Sequence, residues 1–269
     1  MVIVKDYVTI QGKKVNTHRV PILGHLGIEK GSYSALQITH LDDVELLDIG
    51  EIEGLSELTH LKELDLSLNS IEEITDLEQL KNLEMLDLRS NNLKKISGLD
   101  TLVNLKRLIL ESNNIEKIRG LDNLTSLEHL DISFNKLQKI EWLHNLTNLR
   151  VLNLSNNGII FIEGLGSLVN LEFLNLSSNS IKKIVGLNGL SKLKSLELND
   201  NMIIEMRGFD GLIELRDLVL DKNQLKEIKG LKNCHRLRLL SFRENPAESF
   251  HPNYGLYRGE DLFLNEEFP

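Results

Sequence analysis

The chain has 269 residues, 41 % of them hydrophobic and 26 % charged, with a formal net charge of −9. That composition belongs to a folded protein rather than a disordered chain. The excess of 40 Asp and Glu over 31 Lys and Arg argues against nucleic-acid binding, and one cysteine, Cys234, excludes an internal disulfide framework and a Cys-based zinc site.

Lys5 interrupts the opening Met-Val-Ile-Val after four residues, so no signal-peptide core is expected. No apolar run approaches a membrane span, so the expected location is cytoplasmic, with no membrane contact. Four Asn-x-Ser/Thr sequons, at Asn123, Asn145, Asn153 and Asn175, then read as by-products of a repeating consensus. Val2, Val4, Val8 and Ile10 alternate, and Gly12-Lys13 offers a turn, so residues 1–35 read as an N-terminal β cap, a hairpin. Residues 36–60 read as a degenerate first repeat. In it Ile49, Ile52, Gly54, Leu55 and Leu58 keep the second half of the pattern, while Asp42 stands where a core Leu belongs.

Residues 61–245 form a regular array. No proline lies between residues 22 and 245. Asn69, Asn91, Asn113, Asn135, Asn157, Asn179, Asn201, Asn223 and Asn245 follow one another every 22 residues. From Leu61 to Arg236 there are eight full copies, and all 56 of their slots at repeat positions 1, 4, 6, 11, 14, 17 and 20 hold an apolar residue. In Leu-x-x-Leu-x-Leu, positions 4 and 6 point inward with a strand's period of two, and positions 3, 5 and 7 point outward. The inward Asn offers donors and an acceptor for backbone groups of its own and the neighbouring coil. Gly-Leu-x-x-Leu, such as Gly98–Leu102, is too short for an α-helix and reads as a single 3₁₀ or helical turn.

This period and Leu/Asn pattern identify a leucine-rich repeat. With Ile at position 14 and Gly-Leu at 16 and 17, the repeat resembles the SDS-type regulatory subunit of protein phosphatase-1 and the bacterial internalins, over about residues 36–250. The expected fold is an α/β solenoid: an arc with a parallel concave sheet and short 3₁₀ or helical turns on the convex side.

Asn245-Pro246 ends the array, and residues 246–269 read as an aromatic C-terminal cap carrying Phe250, Tyr254, Tyr257, Phe263 and Phe268. The Tyr254 and Tyr257-Arg258 run resembles a shortened form of the cap in the phosphatase-regulator class.

No phosphate loop, His-Glu-x-x-His motif or assembled catalytic triad is legible, so no catalytic residue, metal or cofactor is assigned. Cys234 fills core position 20 and reads as a buried hydrophobe. Asp65 and Asp87 share a position on adjacent strands, but a pair supplies too few oxygens for Ca²⁺. Function is therefore expected on the outward sheet positions. Of these 27 residues in nine copies, eight are acidic and three basic, whereas positions 12 and 13 on the turn side carry seven basic and five acidic residues. Within the acidic face, position 3 reads Met85, Arg107, His129, Val151 and Phe173 in consecutive copies, with Ile109 beside the row and Phe134 at its margin. Together with Asp87, Glu111 and Asp131 these form the expected partner-binding set, with Phe173 and Arg107 as anchors. The expected partner is a protein with a basic rim and an apolar centre, met by a monomer. Trp142, replacing the usual Gly, and the Ile160-Phe161 pair mark a second, convex anomaly, read mainly as packing variation.

The reading is a non-catalytic protein-binding scaffold. The resemblance offers two alternatives: a phosphatase regulatory subunit and a cell-surface adhesion module. A third, GTPase regulation, rests on fold analogy alone.

Overall fold

The structure is a computed structural model. It describes residues 46–247 throughout, together with the strands at 7–10, 13–16, 35–37 and 256–258. Nine three-residue strands recur every 22 residues: β5 (Glu63–Asp65), β6 (Met85–Asp87), β7 (Arg107–Ile109), β8 (His129–Asp131), β9 (Val151–Asn153), β10 (Phe173–Asn175), β11 (Ser195–Glu197), β12 (Asp217–Val219) and β13 (Leu239–Ser241). They pair in parallel and in register, each central Leu opposite the next: Leu64, Leu86, Leu108, Leu130, Leu152, Leu174, Leu196, Leu218 and Leu240. With β3 (Ala35–Gln37) at one end and β14 (Leu256–Arg258) at the other they make an 11-stranded sheet. Every one of the 56 apolar slots is buried. The coils thus share one continuous core, and none can bury its apolar edge alone.

The Asn ladder holds the coils in step. Asn91 Oδ1 accepts from the N–H of Ile71 in the preceding coil at 3.0 Å. Its Nδ2 donates to Leu66 O of that coil at 3.0 Å and to Leu88 O and Arg89 O of its own coil. Asn113, Asn135, Asn157, Asn179, Asn201, Asn223 and Asn245 repeat the pattern. Aspartate could not replace this amide, because an ionised carboxylate donates nothing.

The turn side contains almost no helix. Each Gly-Leu-x-x-Leu segment makes isolated i→i+3 bonds, such as Leu102 N–H to Leu99 O at 3.0 Å and Leu105 N–H to Leu102 O at 2.9 Å. Among the described residues, 3₁₀ helix occurs at Ile49–Glu51, at Leu55–Glu57 and at residues 246–247, and no α-helix occurs. Gly98, at position 16, is required by space as well as torsion. At Gly98 φ is +74°, and a Cβ would lie 2.4 Å from Ile74 O of the preceding coil.

A second Asn ladder, unread in the sequence, ties the far flank. Asn82, Asn104, Asn148 and Asn170 donate to the carbonyls of Thr59, Lys81, Thr125 and Thr147 one coil earlier, at 2.8–2.9 Å. The sequon residues Asn123 and Asn145 do likewise to Asp100 O and Asp122 O.

Both ends depart from the repeat. β1 (Tyr7–Ile10) and β2 (Lys13–Asn16) form an antiparallel hairpin with Val8 opposite Val15, and β1 also pairs with β4 (Ile52–Glu53). Leu36 stands opposite Leu64, a 28-residue step instead of 22. The strand position assigned to Asp42 therefore belongs to Leu36, and Asp42 itself lies outside the described residues. The assignment of Ile49 to position 11 is corrected for a similar reason. The N–H that meets the Asn69 carbonyl is that of Leu46, at 3.2 Å, while Ile49 opens an extra 3₁₀ turn. Asp48 and Glu51 cap that turn reciprocally. At the other end β14 runs antiparallel to β13, with Tyr257 opposite Leu240. Tyr257 is buried, its ring stacked on Phe242 at 5.9 Å between centroids. Phe250, Tyr254, Phe263 and Phe268 lie outside the described residues.

Asn135→Ala strips partners from the Ile115 N–H and the Leu110 carbonyl. The expected loss is about 1–3 kcal/mol, read as a lower urea midpoint; an unchanged midpoint contradicts the ladder's role.

Candidate functional site

The outward sheet positions stand as ordered rows because the strands are in register. Arg107 lies between Met85 and His129, and Val151 between His129 and Phe173, each on the adjacent strand. All five are partly exposed. They form one continuous row across β6 to β10, as the sequence pattern predicts.

Two members of the expected set lie beneath the surface instead. Asp87 is 0 % exposed, and Ile109 is 6 % exposed. Arg89, two residues on and therefore on the same face, folds back over Asp87 with its guanidinium, its Nε donating at 2.9 Å. Burial pushes the Asp87 carboxyl up, Arg89 pulls against that, and Asp65 adds a further rise. At β6 the face thus shows solvent the cation of Arg89 rather than an anion. With Asp87 engaged, the Asp65–Asp87 pair offers no cation site, and the described residues hold no cluster of three or more metal-ligating side chains.

The remaining acids divide into two groups. Toward the N-terminal end, Glu63 is raised by burial and by Glu84, against Arg107. Glu111 is raised by burial and by Asp131, with Arg89 opposing. Toward the C-terminal end, Glu197 is raised by burial despite a 2.7 Å bond from Asn175. Asp221 accepts from Ser241 Oγ at 2.5 Å and from Arg243 N at 2.8 Å. Glu197 and Asp221, with Lys222 and Arg243, edge a shallow depression of about 480 Å³. Between the groups Asp131 accepts from Asn153 at 3.0 Å and from Ser133. Ser177 bonds Asn175 and Asn199. This middle stretch is a hydrogen-bonded Asn/Ser platform flanked by Val151 and Phe173.

His129 is held neutral. Burial first, and Arg107 second, lower its pKa to about 4, with Asp131 opposing. Phe134 sits at the margin, 51 % exposed at φ +52°. Every residue just before a ladder Asn has positive φ, and elsewhere these are mostly Ser, Asn, Asp, Lys or Glu. A phenylalanine pays about 1–2 kcal/mol for that conformation and recovers little of it by burial.

The sequence reading missed a charged flank at position 2. Glu84 bridges Lys62 and Lys106, each at 2.7 Å. Glu172 bridges Arg150, at 2.7 Å, and Lys194. Glu84 carries a burial cost, but Lys106 and Lys62 bring its carboxyl below the usual range; Lys194 does the same for Glu172, with Arg150 adding to it against burial. Lys106, Arg150 and Glu172 line an open groove of about 590 Å³ with Glu128, Asn148 and Asn170. The alternating signs at a 22-residue spacing were the available signal. The pairs are exposed and satisfied among themselves, so each contributes little. Cys234 is fully buried, and burial with Asp210 nearby pushes its thiol up to about 11. That environment suits packing, not nucleophilic chemistry.

Trp142 lies in the same left-handed conformation, at φ +63°, with Arg119 5.2 Å from its ring centroid. No helix among the described residues is long and apolar enough to cross a membrane.

Two measurements follow from this geometry. Phe134→Asn raises stability by about 1 kcal/mol, because asparagine tolerates positive φ; a lower denaturation midpoint contradicts the strain. His129 titrates near 4 folded and near 6.5 as a free side chain. Its depressed value makes protonation favour unfolding, so its contribution is complete above about pH 6.5 and is lost as pH falls toward 4. His129→Gln removes that component, and comparing the two proteins' denaturation at pH 5 and pH 7 checks it.

Comparison with known proteins agrees with this architecture. The leucine-rich repeat region family matches residues 24–161, and a two-copy leucine-rich repeat family matches residues 169–211. Among curated proteins none matches. Among solved structures, an internalin (inlF) from Listeria monocytogenes is similar at 28 % identity and TM-score 0.63, over 80 % of this chain and 68 % of its own. A TLR13–ssRNA13 complex is similar at 27 % identity and TM-score 0.64, over 71 % of this chain and 30 % of that one. The plant peptide hormone receptor RGFR1, in complex with RGF2, is similar at 26 % identity and TM-score 0.60, over 71 % of this chain and 34 % of the receptor. The chain thus spans about a third of the length of the last two. With the Asn ladder, the registered sheet and a family match over half its length, this chain belongs to the leucine-rich repeat family.

Proposed function

We propose that this protein is a non-catalytic scaffold that binds a protein partner across its exposed sheet face. The repeat family, typically built of non-catalytic scaffolds, supports the coarser part. The observation that carries the finer part is the row Met85, Arg107, His129, Val151 and Phe173, partly exposed on five consecutive in-register strands. A partner meeting it needs apolar groups for Val151 and Phe173, and basic groups for Glu63, Glu111, Glu197 and Asp217. The backbone beneath is tied coil to coil, so little ordering cost is expected on the scaffold's side. Asp87 and Ile109 act in this reading as support under the row. The similarity to a receptor solved with a peptide hormone is in keeping with a polypeptide partner. A phosphatase-regulating role would use the same face, and only the partner's identity separates it from other scaffolds.

The test is affinity capture from the native source's lysate, comparing the wild type with Arg107→Glu plus Phe173→Asp. A protein retained by the wild type and lost by the double variant, at an equal unfolding midpoint, is the expected result. The same set retained by both removes the sheet face from the binding surface.

A further inference from the structure

On the turn side, repeat positions 12 and 13 form two more rows. In the first coils they are filled by complementary charges. Lys94 lies 3.9 Å from Glu72, and Lys95 lies 3.0 Å from Glu73, each one coil apart. Farther along, the same slots read Gln138-Lys139, Ile160-Phe161, Lys182-Lys183 and Ile204-Glu205. A backbone bond from Ile204 N–H to Lys182 O confirms that the rows stay aligned there. One coil earlier, where Lys94 and Lys95 find Glu72 and Glu73, Lys182 and Lys183 find Ile160 and Phe161; one coil later Glu205, in the slot beside Lys183, is paired with Arg207 instead. Lys139, Lys182 and Lys183 make no ion pair among the described residues. Phe161 and Ile204 are each 54 % exposed, and Ile160 is 39 % exposed. The coil bearing Phe161 also has Gly158, Gly164 and Gly166, so few neighbouring side chains cover the pair.

Packing does not account for this arrangement. The core beneath is already closed by Ile159 and Ile162, both buried. Exchanging a Lys–Glu pair for an exposed aromatic gives up a small stabilisation and leaves apolar surface in water. Both costs are recovered if something covers the aromatic and neutralises the lysines.

We propose that this turn-side surface is a second docking site, for a protein segment carrying apolar side chains next to carboxylates. Ile160 with Phe161 and, two coils on, Ile204 are the apolar anchors. Lys182 and Lys183 stand between them to receive the carboxylates, and Lys139 lies on the outer side. At sheet spacing two coils amount to about 10 Å, which an extended segment covers in three residues. Glu163 and Glu205 lie on the same coils, Glu205 paired with Arg207, so the site takes carboxylates only where the lysines stand; a peptide can place them there, whereas an anionic membrane presents charge to the acids as well. The site is independent of the sheet face, so one scaffold can hold two polypeptides at once.

The test pans a displayed library of short random peptides against the whole protein and, in parallel, against Phe161→Ser plus Lys183→Glu. Both changes are at exposed side chains, and equal unfolding midpoints verify the fold. The expected result is peptides pairing Asp or Glu with Phe, Leu, Ile or Trp. Their affinity falls at least about tenfold in that variant and is unchanged in Arg107→Glu plus Phe173→Asp. The last comparison separates this site from the sheet face, so either can fail alone. Peptides enriched equally on both proteins, peptides without acidic residues, or no enrichment overturn the proposal. So does Phe161-dependent sedimentation with phosphatidylserine-containing vesicles in place of peptide binding.

Discussion

One side-chain amide per coil sets the terms for this molecule. The ladder Asn must reach an N–H and a carbonyl of the coil behind it and carbonyls of its own coil, at hydrogen-bonding distance, eight times in succession from Asn91 to Asn245. Only a coil of fixed length and path satisfies that geometry, and the 22-residue period is its sequence record. The residue before each Asn is held at positive φ by the same path, whatever its side chain. Phe134 and Leu68 therefore carry more strain than Asn156 and Asp200, whose residue types tolerate the left-handed region.

The stacked core makes the coils mutually dependent and leaves the two ends as separate problems. At the C-terminal end Tyr257 lies against Phe242 and an antiparallel strand closes the sheet edge. At the N-terminal side the first coil is longer and carries a capped 3₁₀ turn, and Asp48 accepts a bond from Thr75 of the next coil. These irregular pieces lack the repeat because they face a repeat on one side only.

With the interior committed, identity is free to vary only outward, and the two outward surfaces are built differently. On the sheet face, alternate residues of one strand share a face and register brings adjacent strands together, so charges crowd: carboxylates are partly desolvated and a histidine is kept neutral by burial and Arg107. On the flank at position 2 the same register pairs opposite charges, which satisfy one another. On the turn side the pairing holds in the early coils and breaks at Ile160 and Phe161. A surface where a repeat could satisfy itself and does not is more informative than one that is merely charged.

The amino-acid order alone determined the coil, its buried positions, the ladder and the outward rows, because each obeys a period that a single strand or turn enforces locally. Arg107 and His129, and Val151 and Phe173, were legible as neighbours for that reason. The tertiary structure decided what depends on chain paths without a period. Leu36 rather than Asp42 faces Leu64, because the first coil runs six residues longer than the rest. Asp87 and Ile109 are covered rather than displayed, Asp87 because the guanidinium two residues along reaches back over it. Burial of an outward position is set by the length and aim of its neighbours' side chains, and periodicity carries no information about those.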